Sequence, residues 1–217
     1  MNYSKFSFER HRFFATHSDL LVNSTVTETI RDILEEEEEE QVLILQPGAE
    51  GIDSHVWTVY PNQNFGDVYA LWAASHSGSP HYRSFIKFDL SSIPIGSDIT
   101  SATLMFNGRG SSSDTGYSII SLHRVLSSWD EHTITWNNQP PYAEYSIDTE
   151  DIDQYSEDMW YSLNVTSPIE DWVQGEYQNY GFVIRQLYEN RYRTFLGWSS
   201  DGGGTRHPKL EIHYLPP

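Results

Sequence analysis

From Val42 to the C-terminus, apolar residues recur at every second position in short runs. VLILQ, HVWTVY, DVYALWAA, YRSFIKFDL, SATLMFNG, YSIISLHRV, TITWN, GFVIRQ and KLEIHY each carry this alternation. A period of two sends successive side chains to opposite faces of a strand, so one face can be buried while the other meets water. Turn formers punctuate the runs: Pro61-Asn62, Asn64-Phe65-Gly66, Pro94-Ile95-Gly96 and the stretch Asp201 to Gly204. Eight or nine short strands broken by such turns predict an all-β domain over 42–217, an antiparallel β-sandwich of the jelly-roll kind. Phe88, Leu104, Phe106, Trp136 and Trp172 are the large side chains expected between its sheets.

One helix interrupts the pattern. In VTSPIEDWVQG, Thr166 or Ser167 is placed to cap, Pro168 suits the first turn and Glu170 completes a capping box. Ile169, Trp172 and Val173 share a face, and Gly175 stops the helix.

Residues 1–41 differ in kind. They form an acidic segment, expected to be partly helical or disordered, in which Val26, Ile30, Ile33 and Leu34 lie roughly on one helical face. The run Glu35 to Glu40 reads as a solvated helix end or linker. The start, MNYSKFSFERHRFF, lacks a continuous apolar stretch and a small-residue cleavage site, and is not read as a signal peptide.

Charge narrows the function classes. The net charge is −18, from 31 acidic and 13 basic residues, and the field it creates opposes nucleic acid and anionic membranes. No run approaches the roughly 18 apolar residues of a transmembrane helix. With no cysteine, disulfides and thiol chemistry are excluded.

In YRSFIKFDL, the alternation places Ser84, Ile86, Phe88 and Leu90 on a core face and Arg83, Phe85, Lys87 and Asp89 on the other. Arg83 and Lys87 are four residues apart, about 13 Å along a strand. Arg124 and Arg185 occupy comparable strand positions. Such a face either grips ligand hydroxyls and carboxylates through forked hydrogen bonds, or is solvated, with its cations paired to Asp89 and other acids.

The stretch SSWDEHTITWNNQPP poses a similar choice, between a sugar cleft lined by tryptophans and amides and an ordinary sandwich corner. Alternation with Ile134 turns Trp136 toward the core, followed by a rigid turn from Asn137 to Pro141. Trp129, nearer a loop, is the candidate for ligand contact. Adjacent Asp130 and Glu131 would leave opposite strand faces and cannot flank one glycosidic bond. HExxH, GxSxG and GxxxxGK[ST] are all missing. Asp53, before the first matched strand, and Asp201, in the turn before the last, form a candidate structural calcium site.

Six segments in order, PNQNFG, YRSFIKFDLSSIPIGSDITSATL, SSWDEHTITWNNQP, NVTSPIEDWVQG, NYGFVIR and the closing WSSD…HPKLEIHY, resemble the DNRLRE domain. That domain is also classed as carbohydrate-binding module family 96 and is related to disaggregatase repeat domains. The resemblance runs from about Asp53 to Tyr214. It implies a non-catalytic β-sandwich, exported or at the cell surface, that binds polysaccharide or a cell-surface glycan. The candidate ligand residues are then Arg83, Lys87, Arg124, Arg185 and Trp129. The alternatives are a structural or adhesion sandwich with no glycan and, more remotely, a polysaccharide lyase or hydrolase.

Overall fold

The computed structural model describes residues 39–113, 117–153, 157–202 and 204–217. The chain divides into two compact units, Met1–Glu39 and Glu40–Pro217. The expected helical face of Val26, Ile30, Ile33 and Leu34 lies outside the described residues.

Among the described residues there are eleven strands and one α-helix. The strands are β1 (Gln41–Leu45), β2 (Ile52–Trp57), β3 (Ala70–Ser75), β4 (His81–Lys87), β5 (Asp98–Ser113), β6 (Tyr117–Arg124), β7 (Asp148–Asp153), β8 (Trp160–Asn164), β9 (Phe182–Gln186), β10 (Arg193–Trp198) and β11 (Lys209–Leu215). The helix α1 spans Thr166–Val173, between β8 and β9. Every strand pairing is antiparallel. The order β1-β11-β5-β10-β3-β4-β9-β6-β7 curls over on itself, with β2 on the other edge of β4 and β8 on β5. The expected β-sandwich is the fold observed.

Two strands make the curl. β5 is long enough to serve two neighbours, pairing β11 through Asp98–Met105 and β10 through Gly108–Ser113. At β4, Ala74 pairs with Tyr82, but two residues on Ser84 pairs with Ile184 of β9 instead of β3. The Ser84 hydroxyl accepts from Trp72 N (2.8 Å) and donates to Trp72 O (2.9 Å), supplying the bonds β3 loses as it departs. Ser84 therefore sits on the core face, as alternation predicts, but its job is backbone repair.

Between the layers lies the main core, which includes Ile86, Phe88, Leu104, Phe106, Ile120, Leu122, Trp172, Phe182, Phe195 and Leu210. Helix α1 closes one end, burying Pro168, Ile169, Trp172 and Val173. Its start differs from the expected capping box. Val165 is the N-cap and makes no side-chain cap bond, while Thr166 lies inside the helix and its hydroxyl accepts from Ala102 N (2.9 Å). The stop is as expected, with Gly175 at φ +76° and its N–H on Trp172 O.

A second, smaller apolar cluster lies on the opposite face of the β2-β4-β9 layer. Val56, Phe85, Val125, Ile134 and Val183 are buried there, with Trp129, Trp136, Tyr142 and Tyr180 packed against them. The segment from Leu126 to Ala143 forms this cover. TITWN is consequently not a strand: Thr133 N and Ile134 N both turn back to Asp130 O (3.2 and 2.9 Å). Trp136 is half-buried in the cover, not between the sheets, which corrects the placement drawn from alternation. Periodicity has no meaning in a segment held by side-chain bonds to its own backbone.

Candidate functional site

The strand β4 carries both cations singled out from the sequence, and the cover separates them. Arg83 lies beneath Trp136, its guanidinium carbon 4.7 Å from the ring centroid. Phe85, fully buried, meets Trp129 at 5.7 Å between ring centroids. Lys87, at the strand's end, emerges beside Trp129. The face that alternation left open to ligand or water is thus roofed at its middle.

All three guanidinium nitrogens of Arg83 are engaged by protein. Its Nε and one terminal nitrogen donate to both oxygens of Glu189 (2.9 and 2.8 Å), and its other terminal nitrogen donates to Gln139 Oε1 (3.1 Å). Arg185, beside it on β9, reaches the same Glu189 oxygen at 3.0 Å and the Tyr142 hydroxyl at 3.4 Å. Burial raises the pKa of Glu189, but the hydrogen bonds from Arg83 and the charges of both arginines outweigh it, so the carboxylate titrates below its usual range. The acid that pairs Arg83 is Glu189, over a hundred residues away, not Asp89. Arg124 leaves the opposite face of its sheet, in register with Phe182, and stacks on Tyr177 at 3.8 Å. Arg83 and Arg185 therefore come together, and Arg124 stands apart from them.

The amides of the cover are also occupied. Asn138 Oδ1 accepts from Thr135 N (2.5 Å) and Asn138 Nδ2 donates to Thr133 O (2.9 Å). Asn137 donates to Asn62 Oδ1 (2.8 Å), and Gln139 donates to Trp136 O (2.8 Å). The indole N–H of Trp129 donates to Tyr180 O (2.8 Å). These groups build the corner.

Lys87 is different. Among the described residues its side chain makes no hydrogen bond or salt bridge, although its charge helps to lower the pKa of Asp89, and it lines three open depressions besides a narrow cleft beside Asp53 and Ser200. The largest, about 620 Å³, has Phe88, Asp89, Ser91, Trp172 and Gln178 in its walls. One of about 460 Å³ runs past Gln46, Glu50 and Ile52. The third, about 310 Å³, is formed with Ser128, Trp129, Gln178, Asn179 and Tyr180. Arg83, Arg124 and Arg185 line none of the three.

Gly181 makes this junction. Its φ is +79°, and a Cβ there would stand 2.2 Å from Ile86 O and 2.9 Å from Lys87 Cβ. Only glycine lets the 178–181 loop lie against the end of β4. Asn179 fixes the loop, donating to Phe88 O (2.9 Å) and accepting from Gly181 N (3.0 Å). Gln178 had no strand or motif signal, and Asn179 entered only as the first residue of the NYGFVIR segment.

A second surface escaped sequence reasoning altogether. Trp57, Tyr82 and Trp72, from β2, β4 and β3, stack in a row with centroids 4.7 and 5.2 Å apart. Trp72 and Tyr82 also line a trough of about 390 Å³ with His76 and Tyr192. The three rings come from three strands, so no sequence window contains them together.

Asp53 and Asp201 do approach each other, and Glu131 joins them. One oxygen from each of the three carboxylates lies within 4.8 Å of the others. Asp53 is 1 % exposed, and Oδ2 accepts from Ser200 N (2.8 Å). Glu131 Oε1 accepts from Asp53 N (3.0 Å). Burial pushes Asp53 up to about 7, and the charges of Glu131 and Asp201 add to the rise. The sequence reading had set Glu131 aside because alternation opposed it to Asp130, and that argument lapses once the segment is a turn.

No helix among the described residues is long and apolar enough to cross a membrane. No curated protein matches the chain. The model of carbohydrate-binding module family 96 matches residues 46–214. That span takes in the strands from β2 onward, the helix, the cover and the Lys87 junction, and the chain belongs to carbohydrate-binding module family 96.

Proposed function

We propose that the chain is a non-catalytic module that attaches to polysaccharide outside the cell through the grooves meeting at Lys87. The observation that carries this reading is the state of that lysine. Among the described residues it is a cation without a salt bridge, with only the exposed Asp89 in its field, where three depressions meet beside an indole and a row of amides and hydroxyls. Sugars are recognised by such mixtures, in which ring C–H faces lie on apolar walls and hydroxyls accept from charged donors. Trp129 contributes an edge of the groove. Arg83 and Arg185 support the cover behind it, and Arg124 with Tyr177 flanks it one residue before Gln178. With a net charge of −18, a neutral or sparsely charged glycan fits better than a dense polyanion.

The test is binding of the full chain to a panel of neutral and acidic polysaccharides, by calorimetry and affinity electrophoresis. Lys87→Ala should lower affinity for the best glycan about 10- to 100-fold, the worth of a hydrogen bond from a charged donor. Its melting temperature should stay within about 1 °C of the parent, since the Lys87 side chain makes no hydrogen bond or salt bridge among the described residues. A mutant that binds as well as the parent removes the groove from consideration. A parent that binds nothing in the panel favours an adhesion sandwich.

A further inference from the structure

We propose that Asp53, Glu131 and Asp201 form a calcium site that fastens the cover to the sandwich. The three carboxylates come from separate parts of the chain: Asp53 from β2, Glu131 from the cover, and Asp201 from the turn between β10 and β11. Three negative groups converging to within 4.8 Å require compensation. None of them makes an ion pair with Lys or Arg among the described residues. Their cationic neighbours are two imidazoles: the exposed ring of His132, whose Nε2 lies 3.8 Å from Glu131 Oε2, and His207, which acts on Asp201.

An independent observation points to a ligand. Asp53 Oδ1 is fully enclosed and has no hydrogen-bond donor among the described residues. The Ser200 hydroxyl is also enclosed and has no hydrogen-bond partner among the described residues. A buried carboxylate oxygen without a donor is costly, and native structures rarely keep one without an ion or water against it. The other Asp53 oxygen is already oriented by Ser200 N, and Asp53 N in turn orients Glu131. These bonds hold the carboxylates in place from behind, as outer partners hold metal ligands.

The donor set selects the ion. All three groups are hard carboxylate oxygens, with a serine hydroxyl at hand and neither thiol nor imidazole in the set. That composition suits calcium, which takes six to eight oxygens in adaptable geometry, over zinc. Magnesium demands a tighter octahedron and keeps its waters. The ion would tie β2, the cover and the last turn together, so its effect is on stability and is independent of any glycan.

The experiment uses the full chain after exhaustive chelation, titrated with calcium by calorimetry while thermal unfolding is followed. One site with a resolved heat is expected. Calcium at a hundredfold over its Kd should shift the folding equilibrium about a hundredfold toward the native state, and the melting temperature should rise accordingly. Magnesium at equal concentration should give less than a tenth of that shift. Asp201→Asn, in a surface turn, should remain folded and lose calcium affinity at least tenfold, and Glu131→Gln should do the same. The variants also separate this site from the run Glu35 to Glu40, whose carboxylates they leave unchanged. No heat and no thermal shift in the parent, an equal response to magnesium, or unchanged affinity in both variants each overturns the assignment.

Discussion

Glu189→Ala is expected to destabilise the domain by about 2–4 kcal/mol, the cost of breaking a largely buried ion pair discounted for residual solvent. Glu189 is the common acceptor for Arg83 and Arg185, and all three side chains are at most one-fifth exposed. Removing it leaves two guanidinium groups facing each other under Trp136 and Tyr142. Their repulsion is partly screened, so part of the loss should return as salt rises. Glu189→Gln should cost less, because an amide still accepts hydrogen bonds.

The pH dependence has a fixed sign. Glu189 titrates below its ordinary 4.5 in the fold, so its contribution is complete above that value. It is lost as pH falls through the depressed folded pKa, because protons then bind the unfolded chain first and the native carboxylate last. The gap in stability between parent and Glu189→Gln should therefore narrow in acid. A loss below about 0.5 kcal/mol for Glu189→Ala in urea unfolding would show that the triad is no stronger than an exposed salt bridge.

Alternation revealed the sandwich because most of its strands bury one face. Where that condition fails, the signal fails. β7, DTEDID, buries only Ile152 well and is otherwise acidic, so it carries no apolar period. β8, WYSLN, buries Tyr161 and Leu163 alternately, but five residues are too few to stand out beside a helix start. β10, RTFLGW, places Arg193 and Gly197 at inward positions, where apolar residues were sought. β4 misleads in the opposite direction, since both of its faces are buried over Ser84–Ile86. Phe85 among polar neighbours looked like a solvated aromatic, when it is the floor of a second core.

The site was legible only in fragments, because its parts meet in space and not in sequence. Lys87 stood out through the scarcity of cations, but that it forms no salt bridge among the described residues depends on where Glu189 and Asp89 fall. Arg83 stood out for the same reason and proved to be held by the fold. The approach of Asp53 to Asp201 was expected from neighbouring first and last matched strands, but β2 pairs with β4 and not with β11, and it is the bond from Ser200 N to Asp53 that brings the last turn to β2. Glu131 required knowing that its segment is a turn. Six family segments in order identified the framework, and a framework says little about the loop that carries Gln178.

Phe85→Ala is expected to have the largest effect, about 3–5 kcal/mol, because it empties the centre of the second core. The ring is fully buried, with Val56, Val125 and Val183 around it and Trp129 above. These neighbours belong to β2, β9, the bridge residue that follows β6 and a loop tied down elsewhere, so they have little freedom to collapse into the void. For a domain of this size the melting temperature should fall by roughly 10 °C. Phe85→Leu, which refills most of the space, should cost under half as much. Trp129 has its own anchor, the bond to Tyr180 O, and should stay near Lys87 while gaining water on the side that faced the ring. Its fluorescence in the still-folded mutant should shift to the red. Glycan affinity measured at low temperature, where Phe85→Ala is still native, should fall several-fold without any change at Lys87 itself, because the groove wall is then loose. If the mutant instead loses less than about 1 kcal/mol in urea unfolding, the cover is a lid that rests on the sheet, and the outer cluster is not a core.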